Sequence, residues 1–174
     1  MIPREISKLI RQGFNRGRVA CFTGAGISAE SGIPTFRGKG GLWEKYDPQK
    51  YAYPQGLISV LRDSPGDFVN FVSEFYSLLF KAHPNPAHVV LATLEKENRI
   101  TAVITQNVDN LHQQAGSRNV IELHGNAYRI KCAGCGRPIT MEKDRAQEMA
   151  QLLKKNRDSY IKILKILSRY FPRC

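Results

Sequence analysis

Several features that would place this chain in a special structural class are missing from its 174 residues. Its apolar runs are far shorter than the roughly 20 residues that a membrane-spanning helix requires. The N-terminus has neither the apolar stretch nor the small-residue cleavage site of a secretion signal. Four cysteines are too few for a disulfide-stabilised scaffold. We therefore expect a globular, cytoplasmic protein without a membrane partner.

Acidic residues are also scarce, because 15 Asp and Glu are set against 26 Lys and Arg, which gives a formal charge of +11. More than half of this excess lies in residues 137–174. Such a basic segment is a candidate surface for nucleic acid or another acidic partner. The alternative is the solvated outer face of amphipathic helices.

Short apolar runs alternate with helical patterns along the chain, which predicts an α/β fold with a mostly parallel sheet. Residues 32–56 are rich in Gly, Pro and aromatic residues and predict a long loop. Two basic amphipathic helices are predicted within 141–171, the second with Tyr160, Ile163, Leu164, Leu167 and Tyr170 on one stripe. The predicted strands are 18–23, 100–105 and 119–123, and the longer predicted helices are 2–12, 65–82 and 87–96.

A glycine-rich turn, Gly24-Ala25-Gly26, follows the first predicted strand. Bare backbone at the end of a strand lets a phosphate approach closely. The spacing is not the G-x-G-x-x-G of many dinucleotide-binding proteins, so this turn alone is a weak indication of a cofactor. A tight strand-to-helix turn without a ligand is the alternative.

Polar residues follow the other two predicted strands. Gln106, Asn107 and Asp109 come after ITAVIT, and His124 comes after NVIEL. Ligands of open α/β sheets bind beyond the carboxyl ends of the strands, so these residues and the glycine turn are expected at one edge. An imidazole exchanges protons near neutral pH, which makes His124 a candidate general base for group transfer. A purely structural histidine is the alternative.

A C-x-x-C pair, Cys132 and Cys135, follows these strands. The neighbouring glycines permit the turn of a zinc knuckle, whereas a redox dithiol more often begins a helix. Cys174 is the third cysteine of this half, and Cys21 lies in an apolar strand. A structural zinc site needs four ligands, and this half of the chain has only three cysteines. We therefore expect Cys174 to be the first cysteine of a second C-x-x-C pair that the sequence does not include.

Several longer motifs together resemble the sirtuins, the NAD-dependent protein deacylases. These motifs are GAGISAESGIPTFRG, GLWEKYDP, PNPAH, TQNVDNLHQQAGS and IELHG, followed by C-x-x-C. The resemblance implies a Rossmann-like parallel sheet with a small inserted zinc module, both incomplete in this chain. It assigns 1–126 to the NAD-binding domain and 127–174 to a partial zinc module with a basic helical insert. It also implies an N-terminal fragment or a truncated gene product.

The resemblance implies NAD and zinc as cofactors and acetylated lysine of proteins as the substrate. The acyl oxygen would attack C1′ of the nicotinamide ribose, nicotinamide would leave, and a histidine would then activate a ribose hydroxyl. By motif, the implied roles are His124 as the base, Asn107 and Asp109 at the nicotinamide, Gln106 at the ribose, Gly24, Ala25 and Gly26 at the phosphates, Phe36 over C1′, Arg37 at a phosphate or ribose, and Cys132, Cys135 and Cys174 on zinc.

Two departures from the family pattern qualify this function. Members that prefer acidic acyl groups resemble Tyr-x-x-Arg, whereas Leu79 stands three residues after Tyr76, so neutral acyl groups such as acetyl are expected. The family's second cysteine pair and its F-G-E and G-T-S segments are not in the chain, so weak NAD affinity is expected. The alternatives are mono-ADP-ribosyl transfer and a non-catalytic, basic zinc- and nucleic-acid-binding fragment.

Overall fold

The computed structural model describes residues 3–16, 19–132 and 134–171. In chain order the elements are α1 (Arg4–Arg16), β1 (Val19–Thr23), a 3-10 helix (Ala25–Ser31), α2 (Leu42–Lys45), α3 (Pro48–Tyr51), α4 (Pro54–Asp63), α5 (Pro65–Lys81), α6 (Pro86–Lys96), β2 (Ile100–Thr105), α7 (Leu111–Gln114), β3 (Val120–Glu122), β4 (Arg129–Lys131), β5 (Pro138–Thr140), α8 (Lys143–Lys155) and α9 (Tyr160–Tyr170).

The chain forms two compact units. Unit 1 comprises Met1–Gly32 and Ala82–Asn126, and unit 2 comprises Ile33–Lys81 and Ala127–Cys174. One boundary between the units therefore falls at residue 126, where the sequence also places a boundary, whereas residues 33–81 group with the C-terminal segment. The assignment of 1–126 to NAD and of 127–174 to zinc stays a prediction.

Unit 1 is built on a parallel sheet with the strand order β1-β2-β3, as the alternating pattern predicts. Thr23 of β1 pairs with Thr105 of β2, and Thr105 pairs with Glu122 of β3. The carboxyl ends of the three strands are therefore level with one another. The segments that follow them leave from the same edge of the sheet.

The described residues cover the two faces of this sheet to different extents. On one face Val103 and Thr105 are almost fully buried, and α6 and α7 pack over it, with His112 of α7 hydrogen-bonded to Thr23. Side chains alternate between faces along a strand, so Phe22 and Ile121 lie on the other face, where both are exposed.

Unit 2 is helical around an apolar core. Val60, Phe68, Met149, Leu153 and Ile163 are among the buried members of one cluster that joins α4, α5, α8 and α9. A second cluster is formed by Leu42, Tyr46 and Phe71. The hairpin of β4 and β5 is antiparallel and carries the C-x-x-C motif between its strands.

One prediction made from the sequence is wrong in unit 2. The predicted loop over 32–56 contains α2, α3 and the start of α4, because prolines stand at the first position of α3 and α4 and Asp47 caps α3 by accepting from the Gln49 N–H at 2.9 Å. Along the predicted stripe of α9, Ile163 and Tyr170 are buried, whereas Tyr160 and Leu164 are exposed. Among the described helices, none is both long enough and apolar enough to cross a membrane.

Candidate functional site

The level carboxyl edge of the unit 1 sheet brings together several of the predicted site residues. Gly24 follows β1 directly, Gln106 and Asn107 follow β2 directly, and His124 lies two residues after β3. The Gln106 N–H donates to the Thr23 carbonyl at 3.2 Å, and the Leu123 N–H donates to the Thr105 carbonyl at 2.9 Å. These bonds continue the ladder beyond the strands and fix the departing segments to one another.

A buried polar cluster joins the glycine turn to the segment after β2. The Ser28 hydroxyl donates to Asp109 Oδ2 at 2.6 Å, and the Asn107 amide donates to the Gly24 carbonyl and to Ser28 Oγ, both at 3.1 Å. Asp109 Oδ1 accepts from the Leu111 N–H at 3.0 Å. Because every member is held by at least one neighbour, the cluster has a fixed geometry before any ligand arrives.

Gly24 and Gly26 of the turn differ in the space that surrounds each of them. A Cβ on Gly24 would lie 2.3 Å from Gln106 Nε2, so a larger residue would force the Gln106 side chain to move. A Cβ on Gly26 would meet nothing within 4 Å, which leaves open space over the turn. Bare backbone beside open space is what a closely approaching pyrophosphate needs.

Two buried histidines lie behind the polar cluster. The His88 and His112 rings are 4.9 Å apart, and His112 Nε2 is 2.9 Å from the Thr23 hydroxyl. The Asn85 N–H donates to His88 Nδ1 at 3.3 Å. His88 Nε2 and His112 Nδ1 are buried without a protein hydrogen-bond partner among the described residues.

Burial shapes the ionisation of these rings. Desolvation lowers the pKa of His88, and the nearby Asp109 carboxylate opposes this only in part. Desolvation also lowers the pKa of His112, the neighbouring His88 lowers it further, and Asp109 again opposes the change. Both rings are therefore held in the neutral form at neutral pH, as hydrogen-bonding groups rather than as cations.

His124 lies exposed on the turn after β3, where Gly125 has a φ of 79°. The flanking residues are anchored, because the Asn126 amide donates to Glu122 Oε1 at 2.7 Å and to Asn110 Oδ1 at 2.8 Å. The imidazole is thus accessible from solvent while the backbone on both sides of it is tied to unit 1. This arrangement suits a base that must meet a substrate hydroxyl.

Phe36 and Arg37 belong to unit 2. The Phe36 ring stacks on Trp43 with centroids 5.2 Å apart, and the Trp43 N–H donates to the Phe36 carbonyl at 2.9 Å. The Arg37 carbonyl accepts from the Thr35 hydroxyl at 2.8 Å. This segment is therefore folded, and its predicted contacts with the cofactor stay predictions.

The cysteines fall into two environments. Cys132 is buried and Cys135 is exposed at the turn between β4 and β5; the Gly136 N–H donates to the Cys132 carbonyl at 2.9 Å. Cys174 lies outside the described residues. Within the described part of the chain, no group of three or more His, Cys, Asp or Glu side chains is placed to hold a metal ion.

Sequence reasoning assigned no role to Ser28, His88, His112, Thr23 or Asn85. The Asn85 amide donates to the Ile27 carbonyl at 2.7 Å and to Ser31 Oγ at 3.0 Å, and so holds the 3-10 helix at two points. A polar residue inside an otherwise apolar stretch is the one signal that could have found them, as with His88 between Ala87 and Val89.

Comparison with known proteins identifies the family to which the chain is similar. A model of the Sir2 family matches residues 24–167. A protein named NAD-dependent protein deacylase from Pyrococcus furiosus is 52% identical over 146 residues, which cover 81% of this chain and 54% of that protein. The chain spans about half the length of the curated relatives it matches.

Solved structures agree in fold as well as in sequence. A structure described as a Sir2 homologue–NAD complex is 43% identical with a TM-score of 0.63, over 77% of this chain and 51% of that one. A Sir2 structure with a deacetylated peptide and 3′-O-acetyl-ADP-ribose is 38% identical with a TM-score of 0.65, over 89% of this chain and 58% of that one. Matched by the family model over most of its length and by a relative of more than half identity, the chain belongs to the Sir2 family.

Proposed function

We propose that this chain carries the catalytic edge of an NAD-dependent protein lysine deacetylase. The observation that carries the proposal is the pre-organised cluster of Ser28, Asn107 and Asp109 beside the glycine turn, with the exposed His124 after the neighbouring strand. Its relative from Pyrococcus furiosus is named an NAD-dependent protein deacylase. The substrate class is acetylated lysine of proteins.

The described residues fit a dinucleotide at this edge. Gly24, Ala25 and Gly26 leave backbone uncovered for the phosphates. Asn107 and Asp109 present amide and carboxylate groups of fixed orientation for a carboxamide such as that of nicotinamide, and Gln106 reaches towards the turn for a ribose hydroxyl. When bound, NAD supplies an activated glycosidic bond whose cleavage releases nicotinamide.

His124 and Asn107 take the catalytic roles. The exposed imidazole of His124 accepts the proton of a ribose hydroxyl, which makes that oxygen a nucleophile. Asn107 holds the Gly24 carbonyl and the Ser28 hydroxyl, and its side chain keeps the pocket in its binding geometry. Phe36 and Arg37 are proposed to exclude water from the reacting carbon and to meet a phosphate or ribose oxygen.

The test is NAD-dependent removal of acetyl from an acetyl-lysine peptide, followed together with nicotinamide release. His124→Ala should lower deacetylation at least 100-fold, because general-base catalysis typically contributes 10²–10⁴-fold. His83→Ala is the matched control, because His83 is an exposed histidine of the same unit outside the cluster. It should leave the rate within about twofold.

The same assay should be run on a chimera in which this chain replaces the matching part of the Pyrococcus furiosus deacylase. Deacetylation by neither the chain nor the chimera would contradict the proposal. Transfer of ribose-labelled ADP-ribose to protein, without deacetylation, would favour mono-ADP-ribosyl transfer instead.

A neutral acyl group is proposed as the preferred substrate. The Tyr76 hydroxyl donates to the Ala127 carbonyl at 3.1 Å, and Leu79 is buried in unit 2. No guanidinium stands three residues after Tyr76 to pair with a succinyl carboxylate. Acetyl-lysine peptide should therefore be turned over at least tenfold faster than succinyl-lysine peptide by the chimera. Equal turnover would overturn this preference.

Zinc is a proposed structural cofactor of the segment after residue 127. Cys132 and Cys135 lie at the two ends of one tight turn, which fits half of a tetrahedral thiolate site. Cys174 would be a third ligand. Metal analysis of the purified chain should show bound zinc that Cys135→Ser removes, whereas Cys21→Ser should leave it. Purified chain without bound zinc would contradict this site.

The basic segment 137–173 is a proposed surface for nucleic acid. The Lys and Arg side chains of α8 and α9 are exposed, and a dense array of such charges binds phosphates through counterion release. Binding of a DNA duplex should weaken steeply between 50 and 200 mM salt, by about 10³-fold if six phosphates are contacted. Binding to a poly-glutamate peptide but not to DNA would show an acidic protein partner instead.

A further inference from the structure

A cavity of about 660 Å³ opens on unit 1, between α6 and the segment that joins α7 to β3. Val89, Ala92 and Lys96 line it from α6, since residues three and four apart on a helix share a face. Ile100 lines it from β2, and Ala115 lines it from the residues directly after α7. We call this space the α6 cavity. None of the residues placed in the candidate functional site is among those that line it.

The α6 cavity lies at the opposite end of β2 from the candidate functional site. Ile100 and Thr101 begin β2, whereas Gln106 and Asn107 follow its last residue. Each residue of a strand adds about 3.3 Å, so the two ends of β2 are roughly 17 Å apart. A ligand in the α6 cavity therefore does not touch the cofactor edge, and this inference does not depend on the proposed function.

Hydrogen bonds hold the walls of the α6 cavity in place. The Glu95 carboxylate accepts from the N–H groups of Arg118 at 2.9 Å and of Asn119 at 2.6 Å, which ties the end of α6 to the segment before β3. The Asn119 amide donates to the Thr101 carbonyl at 2.6 Å and ties the same segment to β2. The cavity is therefore formed before a ligand enters it, as most small-molecule sites are.

Two cations at the α6 cavity are available to a ligand. Lys96 and Arg118 line the cavity and are exposed, and neither side chain has a hydrogen bond or an ion pair with another described residue. Glu95 is the one acidic residue among the described residues that line the cavity, and backbone N–H groups already engage both of its oxygens. Positive charge with free N–H donors favours an anionic group.

Much of the remaining lining is aliphatic and comes from Val89, Ala92, Ile100 and Ala115. The hydroxyls of Thr93 and Thr101 already donate to backbone carbonyls, at 2.9 Å and 3.2 Å. No aromatic side chain is among the described residues that line the cavity, so a nucleobase would have no ring on which to stack. An aliphatic body covers this surface better than a base or a sugar does.

We propose that the α6 cavity binds a small aliphatic carboxylate, of which octanoate is a representative. The carboxylate accepts from Lys96 and Arg118, and the hydrocarbon chain lies against the aliphatic lining. The cavity volume falls within the range of about 300–1,000 Å³ that is usual for small-molecule sites. The site is therefore a second ligand site of unit 1, at the edge of the sheet away from the cofactor.

The experiment is titration of the nitrogen-15-labelled chain with sodium octanoate, followed by the NMR shifts of its backbone amides. Saturable shifts are expected at Ala92, Thr101 and Gly116, with little change at Gly24 and Gly26. Butanoate should bind at least tenfold more weakly, because it lacks four of the methylene groups that the cavity buries. Octylamine has the same chain length with a cationic head and should bind at least tenfold more weakly than octanoate.

Substitution of the two cations tests the site directly. Lys96→Gln and Arg118→Gln should each weaken octanoate binding at least threefold, and the double variant should weaken it at least tenfold. Arg11→Gln is the matched control, because it removes the same charge from an exposed position of α1 and should leave binding unchanged. The proposal is overturned by absence of saturable octanoate binding, by equal affinity for octylamine, or by a double variant that binds octanoate normally. Saturable shifts confined to the exposed Phe22 and its neighbours would also overturn it.

Discussion

The two units of this chain bury different kinds of side chain. In unit 2 the buried residues are mostly apolar, and both apolar clusters found among the described residues lie there. In unit 1 the buried set is rich in polar groups, and every buried polar residue of the described chain except Ser73 belongs to it. Unit 2 thus resembles an ordinary folded core, whereas unit 1 uses its burial to hold a site in a fixed geometry.

This difference separates the residues that stabilise the fold from the residues that form the site. Apolar burial contributes about 25 cal/mol per Å² regardless of orientation, so the clusters of unit 2 stabilise the fold without specifying a reaction. Hydrogen-bonded polar groups contribute only about 1 kcal/mol each and are costly when one partner is lost. The polar groups of unit 1 therefore specify a site, and they stabilise the fold less than the apolar clusters of unit 2 do.

The comparison is tested most strongly in the core of unit 2. Leu153→Ala removes a fully buried side chain between α8 and its neighbours and should lower the free energy of unfolding by about 3 kcal/mol. Leu123→Ala, at an exposed leucine just after β3 of unit 1, should cost less than about 0.5 kcal/mol. Urea denaturation followed by far-ultraviolet circular dichroism measures both, and equal costs would contradict the distinction.

The polar cluster of unit 1 should respond to the loss of a single hydroxyl. Ser28→Ala leaves Asp109 Oδ2 without its donor and removes one acceptor of the Asn107 amide. The expected cost is about 1–2 kcal/mol, measured as faster hydrogen exchange of the β2 amides. Ser168→Ala is the control, because its hydroxyl donates to the Lys165 carbonyl on an exposed turn of α9. An unchanged exchange rate for Ser28→Ala would argue against a cooperative cluster.

Acid should weaken unit 1 through its two buried histidines. The pKa values of His88 and His112 are lowered in the folded state, mainly by desolvation. The unfolded chain therefore binds protons first, and stability that is complete above about pH 6.5 declines as the pH falls below it. The expected loss by pH 5.5 is on the order of 1 kcal/mol.

Hydrogen exchange of β2 amides between pH 7.5 and 5.5, corrected for intrinsic rates, measures this decline. His88→Gln should flatten it, whereas the exposed His83→Ala should leave it unchanged. A decline of the same size in both variants would assign the pH dependence to other groups.

The smallest expected effect on stability is that of replacing the exposed Phe22 of β1. Phe22→Ser should change the free energy of unfolding by less than about 0.5 kcal/mol, because the ring is already in water. It should nevertheless reduce the fluorescence of a bound apolar dye such as anilinonaphthalene sulfonate. Phe171→Ser, at an exposed phenylalanine of unit 2, should reduce the dye signal less. An equal reduction would mean that Phe22 does not belong to a distinct apolar surface.

Much of unit 1 could be predicted because its signals are local. Short apolar runs gave the strands, and parallel pairing follows from the helical segments between them. In a parallel sheet the residues that follow the strands lie at one edge. Asn107, Asp109 and the glycine turn were therefore expected to lie together. The helices in 33–63 were missed because glycine, proline and aromatic content hid short elements that begin at prolines.

The sequence by itself determined which segments become strands and helices and which family the motifs resemble, because backbone preferences and apolar periodicity act between near neighbours. Only the tertiary structure decided that Ser28 meets Asp109 across 81 residues of chain, that His88 lies against His112, and that Phe22 and Ile121 stay exposed. Such contacts depend on which element packs over which face. That choice is made by the summed burial of residues far apart in the chain, and no local pattern contains it.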